Sequence, residues 1–222
     1  MKVVISGYGK MGRMIEQVLA QRGIECAGIS EDILSFDDKT ASESVCIDFT
    51  TPSAIHANYK ALADKFKATV IGTTGWNDIK EDVINYFEHK GKTMIYSSNF
   101  SVGVNLLFAA VEYLSKKMAV NGGYSPYIIE KHHIHKLDAP SGTARTIADI
   151  IEHNLDTSVD IQSVRCGEIP GIHTVGFEGD VDRITITHEA FSRMGFAQGA
   201  VEAALKADRI TGVHDFKDII FE

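Results

Sequence analysis

Residues 130–144 hold the densest chemistry in the chain: Glu130-Lys131-His132-His133-Ile134-His135-Lys136-Leu137-Asp138-Ala139-Pro140-Ser141-Gly142-Thr143-Ala144. A strand runs into a polar loop, Pro140 stops regular structure, and Ser141 stands as an N-cap before a helical run from Thr143. If the chain stays extended, alternation places His132 and Lys136 on one face and His133 and His135 on the other. An imidazole and an ammonium near a helix N-terminus suit an anionic substrate that must also receive a proton. There Ser141, Gly142 and Thr143 offer hydroxyls and free N–H groups. Histidine titrates near neutrality and can serve as the acid. A competing reading is a metal bound by the three histidines with Asp138. Alternation opposes it, because adjacent His132 and His133 converge on one ion only if the chain turns sharply. A third reading is an ordinary exposed polar loop.

A second constellation lies at the N-terminus. Gly7-Tyr8-Gly9-Lys10-Met11-Gly12 directly follows the run Val3-Val4-Ile5 and opens a helical pattern, the context in which such a turn binds a dinucleotide. The first glycine permits the tight turn, the second lets backbone approach a pyrophosphate, and the third lets helix and strand pack closely. The pyrophosphate then meets unpaired N–H groups at the positive end of the helix dipole. Glu31 follows about 20 residues later, where an acid hydrogen-bonds the adenine ribose. Asp32 adds a second acid, so a 2′-phosphate faces repulsion of about 1–4 kcal/mol per charge pair. NADH is therefore expected over NADPH, with Lys10 and Arg13 offsetting part of the difference.

Two kinds of element must position these groups. Through residue 96, short β-branched runs alternate with helical patterns: strands at Val3–Ile5, Ile24–Ile29, Val45–Phe49, Thr69–Ile71 and Thr93–Tyr96, with helices after Met11, Pro52 and Ile79. That alternation implies an α/β fold, an N-terminal Rossmann doubly wound parallel sheet. From about Ser101 the pattern changes to a long helix (Val104–Met118), a strand at Tyr127–Glu130, a helix from Gly142, and a hairpin of Ile172–Phe177 and Arg183–His188 about Gly179-Asp180. This reads as a smaller α+β domain with a mixed sheet, for substrate binding and oligomerisation. The expected division is 1–102 with 197–222 for the dinucleotide and 103–196 for the second domain. A last helix (about Gly199–Ala207) and a strand (Asp218–Phe221) are expected to return to the first domain, with closure about Ser101–Val104 and Phe196–Gly199.

Composition narrows the classes. Of 222 residues, 44% are hydrophobic and 23% charged, the globular range rather than the disordered one. A formal charge of -8 without a basic cluster argues against nucleic acid. No apolar run nears the roughly 20 residues that span a bilayer, and the N-terminal run is too short for a signal peptide. Cys26, Cys46 and Cys166 are unpaired in spacing and lie in apolar surroundings, so they read as buried thiols of a cytoplasmic protein.

Taken together, these segments resemble the dihydrodipicolinate reductases (4-hydroxy-tetrahydrodipicolinate reductases) of lysine and diaminopimelate biosynthesis, over nearly the full chain. The match comprises the glycine turn, Gly72-Thr73-Thr74-Gly75, Asn99-Phe100-Ser101-Val102-Gly103-Val104-Asn105, Glu130–Ala144, Ile169-Pro170-Gly171-x-His173 and Ser192-Arg193-x-x-Phe196-Ala197-x-Gly199-Ala200. His132-His133-x-x-Lys136-x-Asp138-Ala139-Pro140-Ser141-Gly142-Thr143-Ala144 is its most specific part. The resemblance implies that His132 donates the proton with Lys136 as cationic partner, and that His133, Ser141, Gly142 and Thr143 grip the substrate carboxylates. It implies contact of Gly72, Thr73, Thr74 and the backbone of Ser97, Ser98, Asn99 and Phe100 with the nicotinamide half of NADH or NADPH. It also implies no metal, a cyclic dicarboxylate substrate, and a homotetramer. The chain departs from the family at Glu31-Asp32, where many members pair an acid with a base. It departs again in a short 32–45 segment, where a loop and helix are expected to be trimmed. Arg193 is expected to serve a hinge or packing. Rival readings are another amino- or keto-acid reductase, a dinucleotide sensor without turnover, and a metal-dependent hydrolase.

Overall fold

The computed structural model describes residues 1–221, so Glu222 of the expected first domain lies outside the described residues. In chain order the first elements are β1 (Lys2–Ser6), α1 (Lys10–Gln21), β2 (Glu25–Ser30), α2 (Asp38–Glu43), β3 (Ser44–Asp48), α3 (Pro52–Lys65), β4 (Ala68–Ile71), α4 (Lys80–His89) and β5 (Thr93–Tyr96). Next come α5 (Val102–Asn121), β6 (Ser125–His132), α6 (Gly142–Leu155), β7 (Asp160–Arg165), β8 (Ile172–Glu178) and β9 (Arg183–Glu189). The chain closes with α7 (Met194–Ala207), β10 (Val213–Asp215) and α8 (Phe216–Ile219). It divides into two compact units, one of Met1–Ser101 with the chain from Met194, the other Val102–Arg193.

The first unit is a six-stranded sheet in the order β10-β5-β4-β3-β1-β2, every pair parallel. Val3, Val4, Ile5, Val45, Cys46, Ile47, Val70 and Ile71 are fully buried, since helices on both faces demand strands that are apolar on both sides. The α7 helix packs on α1 and across β3, β4 and β5 through small buried residues, among them Ala197, Ala200, Ala203 and Ala204. Strand order reverses between β1 and β3, so the crevice at their C-terminal ends is where ligands of such sheets bind.

The second unit is a four-stranded mixed sheet, β7-β6-β8-β9, in which β6 and β7 are parallel and the other pairs antiparallel. One face packs Ile128, Val175 and Phe177 against α5 and α6, including Leu107, Val111, Ile147 and Ile151. On the opposite face Lys131, Val164, Thr185 and Thr187 are exposed.

Two expectations require correction, on the C-terminal strand and on the cysteines, and further elements are added. The C-terminal strand lies at Val213–Asp215, and residues 216–219 are helical because the Asp215 carboxylate accepts the Lys217 N–H as an N-cap. The short 32–45 segment holds two small capped elements. Asp32 caps a 3-10 turn at Ile33–Ser35, and Asp37 caps α2. Strand β7 escaped notice because it is an edge strand whose sequence, Asp-Ile-Gln-Ser-Val-Arg, has only Ile161 packed on the core. Of the cysteines only Cys46 is buried; Cys26 is half-buried and Cys166 exposed in the turn after β7, all three free.

Candidate active site

In the first unit, the sequence-predicted cofactor residues collect at the C-terminal ends of the parallel strands. Gly7 (φ +90°) follows β1, and a Cβ there would stand 2.5 Å from the Phe49 carbonyl oxygen; one on Gly12 would stand 2.1 Å from that of Gly7. These two glycines are therefore demanded by the turn and by helix–strand packing. Gly9 is different. Its φ is an ordinary -76° and no atom lies within 4 Å of its would-be Cβ, so neither backbone nor packing requires glycine. The open space there fits a pyrophosphate laid against the backbone at the start of α1, with Lys10 exposed, Met11 half-buried and no acidic residue in the first turn. Glu31 is exposed directly after β2. Asp32, the second acid of the predicted pair, has a different employment: its carboxylate accepts the Leu34 N–H at 3.0 Å.

Beyond β4 and β5 stand Gly72, Thr73 and Thr74, and Ser97 to Phe100. Thr74 and Ser98 are exposed, Thr73 and Phe100 buried. Ser97 Oγ donates to the Asn99 carbonyl at 2.9 Å and accepts the Asn99 N–H at 3.1 Å, and Asn99 Oδ1 accepts the Ser101 N–H at 2.9 Å, so this loop is self-braced. Sequence reasoning missed the residue that ties the turns together. Asp48, 2% exposed at the end of β3, accepts from Ser6 Oγ at 2.6 Å, Thr73 Oγ1 at 2.7 Å and Thr50 Oγ1 at 2.9 Å. Thr73 Oγ1 in turn accepts the Thr50 N–H at 2.7 Å. The available signal was a lone acid closing an apolar strand.

In the second unit the predicted loop does not stay extended. Strand β6 ends at His132, and the chain turns so that the Lys136 N–H reaches the His133 carbonyl at 3.2 Å. The alternation expected through Lys136 therefore fails. Lys136 Nζ instead pairs with Asp138 at 2.7 Å, yet remains near enough for its charge to lower the His132 pKa. The rings of His133 and His135 lie 6.0 Å apart, and His135 faces Glu168 at the surface. Neither joins His132.

The residues that do join His132 come from β6, β7 and β8. Glu130, two residues earlier and wholly buried, hydrogen-bonds His132 Nδ1 and takes Arg165 Nη2 at 2.7 Å on its other oxygen. His173 lies with its ring 5.1 Å from that of His132, edge to face. Its Nε2 meets Ser141 Oγ at 3.2 Å, while the same Oγ accepts the Ala144 N–H at 3.3 Å and caps α6. Gly142 is exposed and Thr143 half-buried at that helix start.

Burial pulls His132 below its ordinary pKa, with Glu130 opposing. Burial takes His173 further, to about 4. Glu130, His132 and His173 place ligand-type atoms within 4.8 Å of one another. The Arg165 guanidinium on the same carboxylate is a positive charge that opposes a metal ion there. Arg165 was not singled out from sequence, and Glu130 and His173 stood in the family-matched segments without an assigned role. Glu130 could have been found by the two-residue period of β6. Arg193, which the sequence left to hinge or packing, is exposed as the last residue of the second unit. No helix among the described residues is long and apolar enough to cross a membrane.

Comparison with known proteins adds a consistent picture. The family model for dihydrodipicolinate reductase, N-terminus, matches residues 1–100, and that for dihydrodipicolinate reductase, C-terminus, matches 103–220. The chain is 37% identical to a 4-hydroxy-tetrahydrodipicolinate reductase of Christiangramia forsetii over 233 positions, covering 99% of this chain and 98% of that protein. It is 33% identical to the Neisseria meningitidis serogroup A protein of the same description over 267 positions, covering 99% and 97%. Its fold is similar to a dipicolinate-bound dihydrodipicolinate reductase from Paenisporosarcina sp. TG-14, with a TM-score of 0.82 at 21% identity and 99% of each chain covered.

Proposed function

The chain belongs to the dihydrodipicolinate reductase family, and from that premise we propose that it reduces 4-hydroxy-tetrahydrodipicolinate to tetrahydrodipicolinate with a nicotinamide dinucleotide. The observation that carries the reading is the cluster in which His132, an imidazole backed by a buried carboxylate, is joined through His173 to Ser141 at the N-terminus of α6. A proton donor and an anion-binding helix end are thereby held in one site, as a dicarboxylate that gains a proton requires.

The bound nicotinamide supplies the hydride. The first unit's residues hold the dinucleotide: Gly7, Gly9, Lys10, Met11 and Gly12 around the pyrophosphate, Glu31 at the ribose, and Gly72 to Thr74 with Ser97 to Phe100 at the nicotinamide half. Glu31 favours NADH over NADPH. Asp32 beside it is exposed and its carboxylate keeps its charge while capping the Leu34 N–H, so it adds to the repulsion of a 2′-phosphate, and the preference is about tenfold. In the second unit, Ser141, Gly142, Thr143 and His133 take the carboxylates of the cyclic imine, Lys136 adds positive potential, and His132 delivers the proton from Nε2. The outer face of the mixed sheet, carrying Val164 (40% exposed), joins chains into a homotetramer. The free thiols, one of them exposed, suit a reducing cytoplasm.

The test follows NADH absorbance with enzymatically generated substrate, comparing wild type with His132→Gln and NADH with NADPH. Wild type oxidises NADH, and the variant loses about 100-fold or more in kcat. Binding of NADH without oxidation would instead favour a sensor. Near-normal turnover by His132→Gln would sink the assignment of the proton.

A further inference from the structure

We propose that Glu130 is a positioning residue for His132: its buried carboxylate, anchored by Arg165, holds the imidazole by Nδ1 and leaves Nε2 as the only atom that exchanges a proton. The inference rests on the reading of His132 as proton donor and gives a role to the first residue of the 130–144 segment, to which the motif assigns none.

The two-residue period of β6 puts Glu130 and His132 on the same buried face, and the parallel register sets Arg165 directly opposite His132. Arg165 is itself held. Nη2 donates to Glu130 Oε1 at 2.7 Å and to the Asp138 carbonyl at 2.6 Å, and Nη1 donates to the Val164 carbonyl at 2.9 Å. The carboxylate is thus fixed at both oxygens, one on the guanidinium and one on the imidazole. On the other side, Gly171 carries no side chain where a Cβ would stand 3.1 Å from His132 Nε2. Nδ1 is occupied; the Gly171 side of Nε2 is free of side chain.

The arrangement solves a problem that burial creates. An imidazole in a low-dielectric site resists protonation, and an adjacent carboxylate restores its basicity. An unpartnered buried carboxylate would itself take up a proton. Here burial pushes Glu130 up, but hydrogen bonds from Arg165 and Ser163 and the nearby His132 hold it below its ordinary range. The groups facing His132 are Glu130 on its own strand, Arg165 from β7, His173 from β8 with His188 behind it on β9, and Lys136 with its partner Asp138 from the loop. Among them Glu130 is the carboxylate that touches the ring. His173, the neighbouring imidazole, bonds to the Ser141 hydroxyl instead and stays neutral down to about pH 4. The proton is thereby assigned to one ring of the pair.

The test is Glu130→Gln, which keeps size and removes charge, assayed for kcat and KM across pH beside wild type and His132→Gln. Loss of the carboxylate lowers the basicity of His132, so the high-pH limb of the rate profile moves to lower pH. kcat falls about tenfold or more while KM stays within about twofold. A fall in kcat with an unmoved limb would mean a merely structural role and overturn the proposal. Nitrogen-15 NMR of the imidazoles in the unmutated protein supplies a second readout that needs no variant to fold. It should show neutral His132 with its proton on Nδ1; the Nε2–H tautomer would overturn the proposal. If His132→Gln itself turns over normally, the proton-donor reading falls. If that variant is inactive while Glu130→Gln keeps the wild-type profile, only the positioning role falls.

Discussion

At the scale of single residues, the two imidazoles at the centre of the second unit have been given different work by their surroundings. His173 is 5% exposed and its pKa is driven to about 4, first by burial and then by the charge of His132. That shift has a stability consequence with a definite sign. Above about pH 6.5 the ring is neutral folded and unfolded, and folding carries no penalty. As pH falls from there toward about 4, the unfolded chain takes up the proton first, so stability drops by up to about 3 kcal/mol. His132 and His188, also lowered by burial, act in the same direction. Thermal melts should therefore show a lower Tm at about pH 5 than at about pH 7.5, with a shallower dependence in His173→Gln. An unchanged slope in that variant would remove His173 from the account. The sequence marked His173 as part of a family-matched segment, but its burial and its neighbours His132 and Ser141 were not legible there.

At the scale of elements, the C-terminal ends of β1, β3 and β4 are held together by one carboxylate. Asp48 collects three hydroxyl donors from Ser6, Thr50 and Thr73. A hydrogen bond to a charged acceptor is worth about 1.5–3 kcal/mol, and stranded donors add to the loss. Asp48→Ala is expected to destabilise by about 2–4 kcal/mol in urea titration, Ser6→Ala by only about 1. Because Thr73 is one of the proposed nicotinamide contacts, Asp48→Ala should also raise the KM for NADH. A change in KM without loss of stability would show the network to be local. The existence and type of most elements could be read from apolar periodicity. The exceptions lack a periodic apolar face: α2 and α8 are short helices defined by their caps, and β7 is an edge strand with one residue on the core.

At the scale of the whole molecule, the mixed sheet has one face packed on α5 and α6 and the other exposed, and the proposed tetramer uses that outer face. Light scattering is expected to give four chain masses for wild type, and Val164→Asp on the outer face should yield smaller species. A monomeric wild type would end the tetramer proposal. The linear order of residues determined a good deal unaided: the alternation of strands and helices, the glycine turn with its acid, and the segment from His132 to Thr143 that carries the family's chemistry. These are local signals, set by period, spacing and cap chemistry over a few consecutive residues. What only the tertiary structure decided is which distant side chains share a site. Arg165 reaches Glu130 across 35 positions through the β6–β7 register, and His173 reaches Ser141 across 32 where the N-cap of α6 meets β8. The same folding released His133, His135 and Lys136 from the face that strict alternation assigned them, because backbone hydrogen bonding turns the chain immediately after His132. Spacing along a chain states what could meet; register and burial decide what does, since both depend on residues far away in sequence.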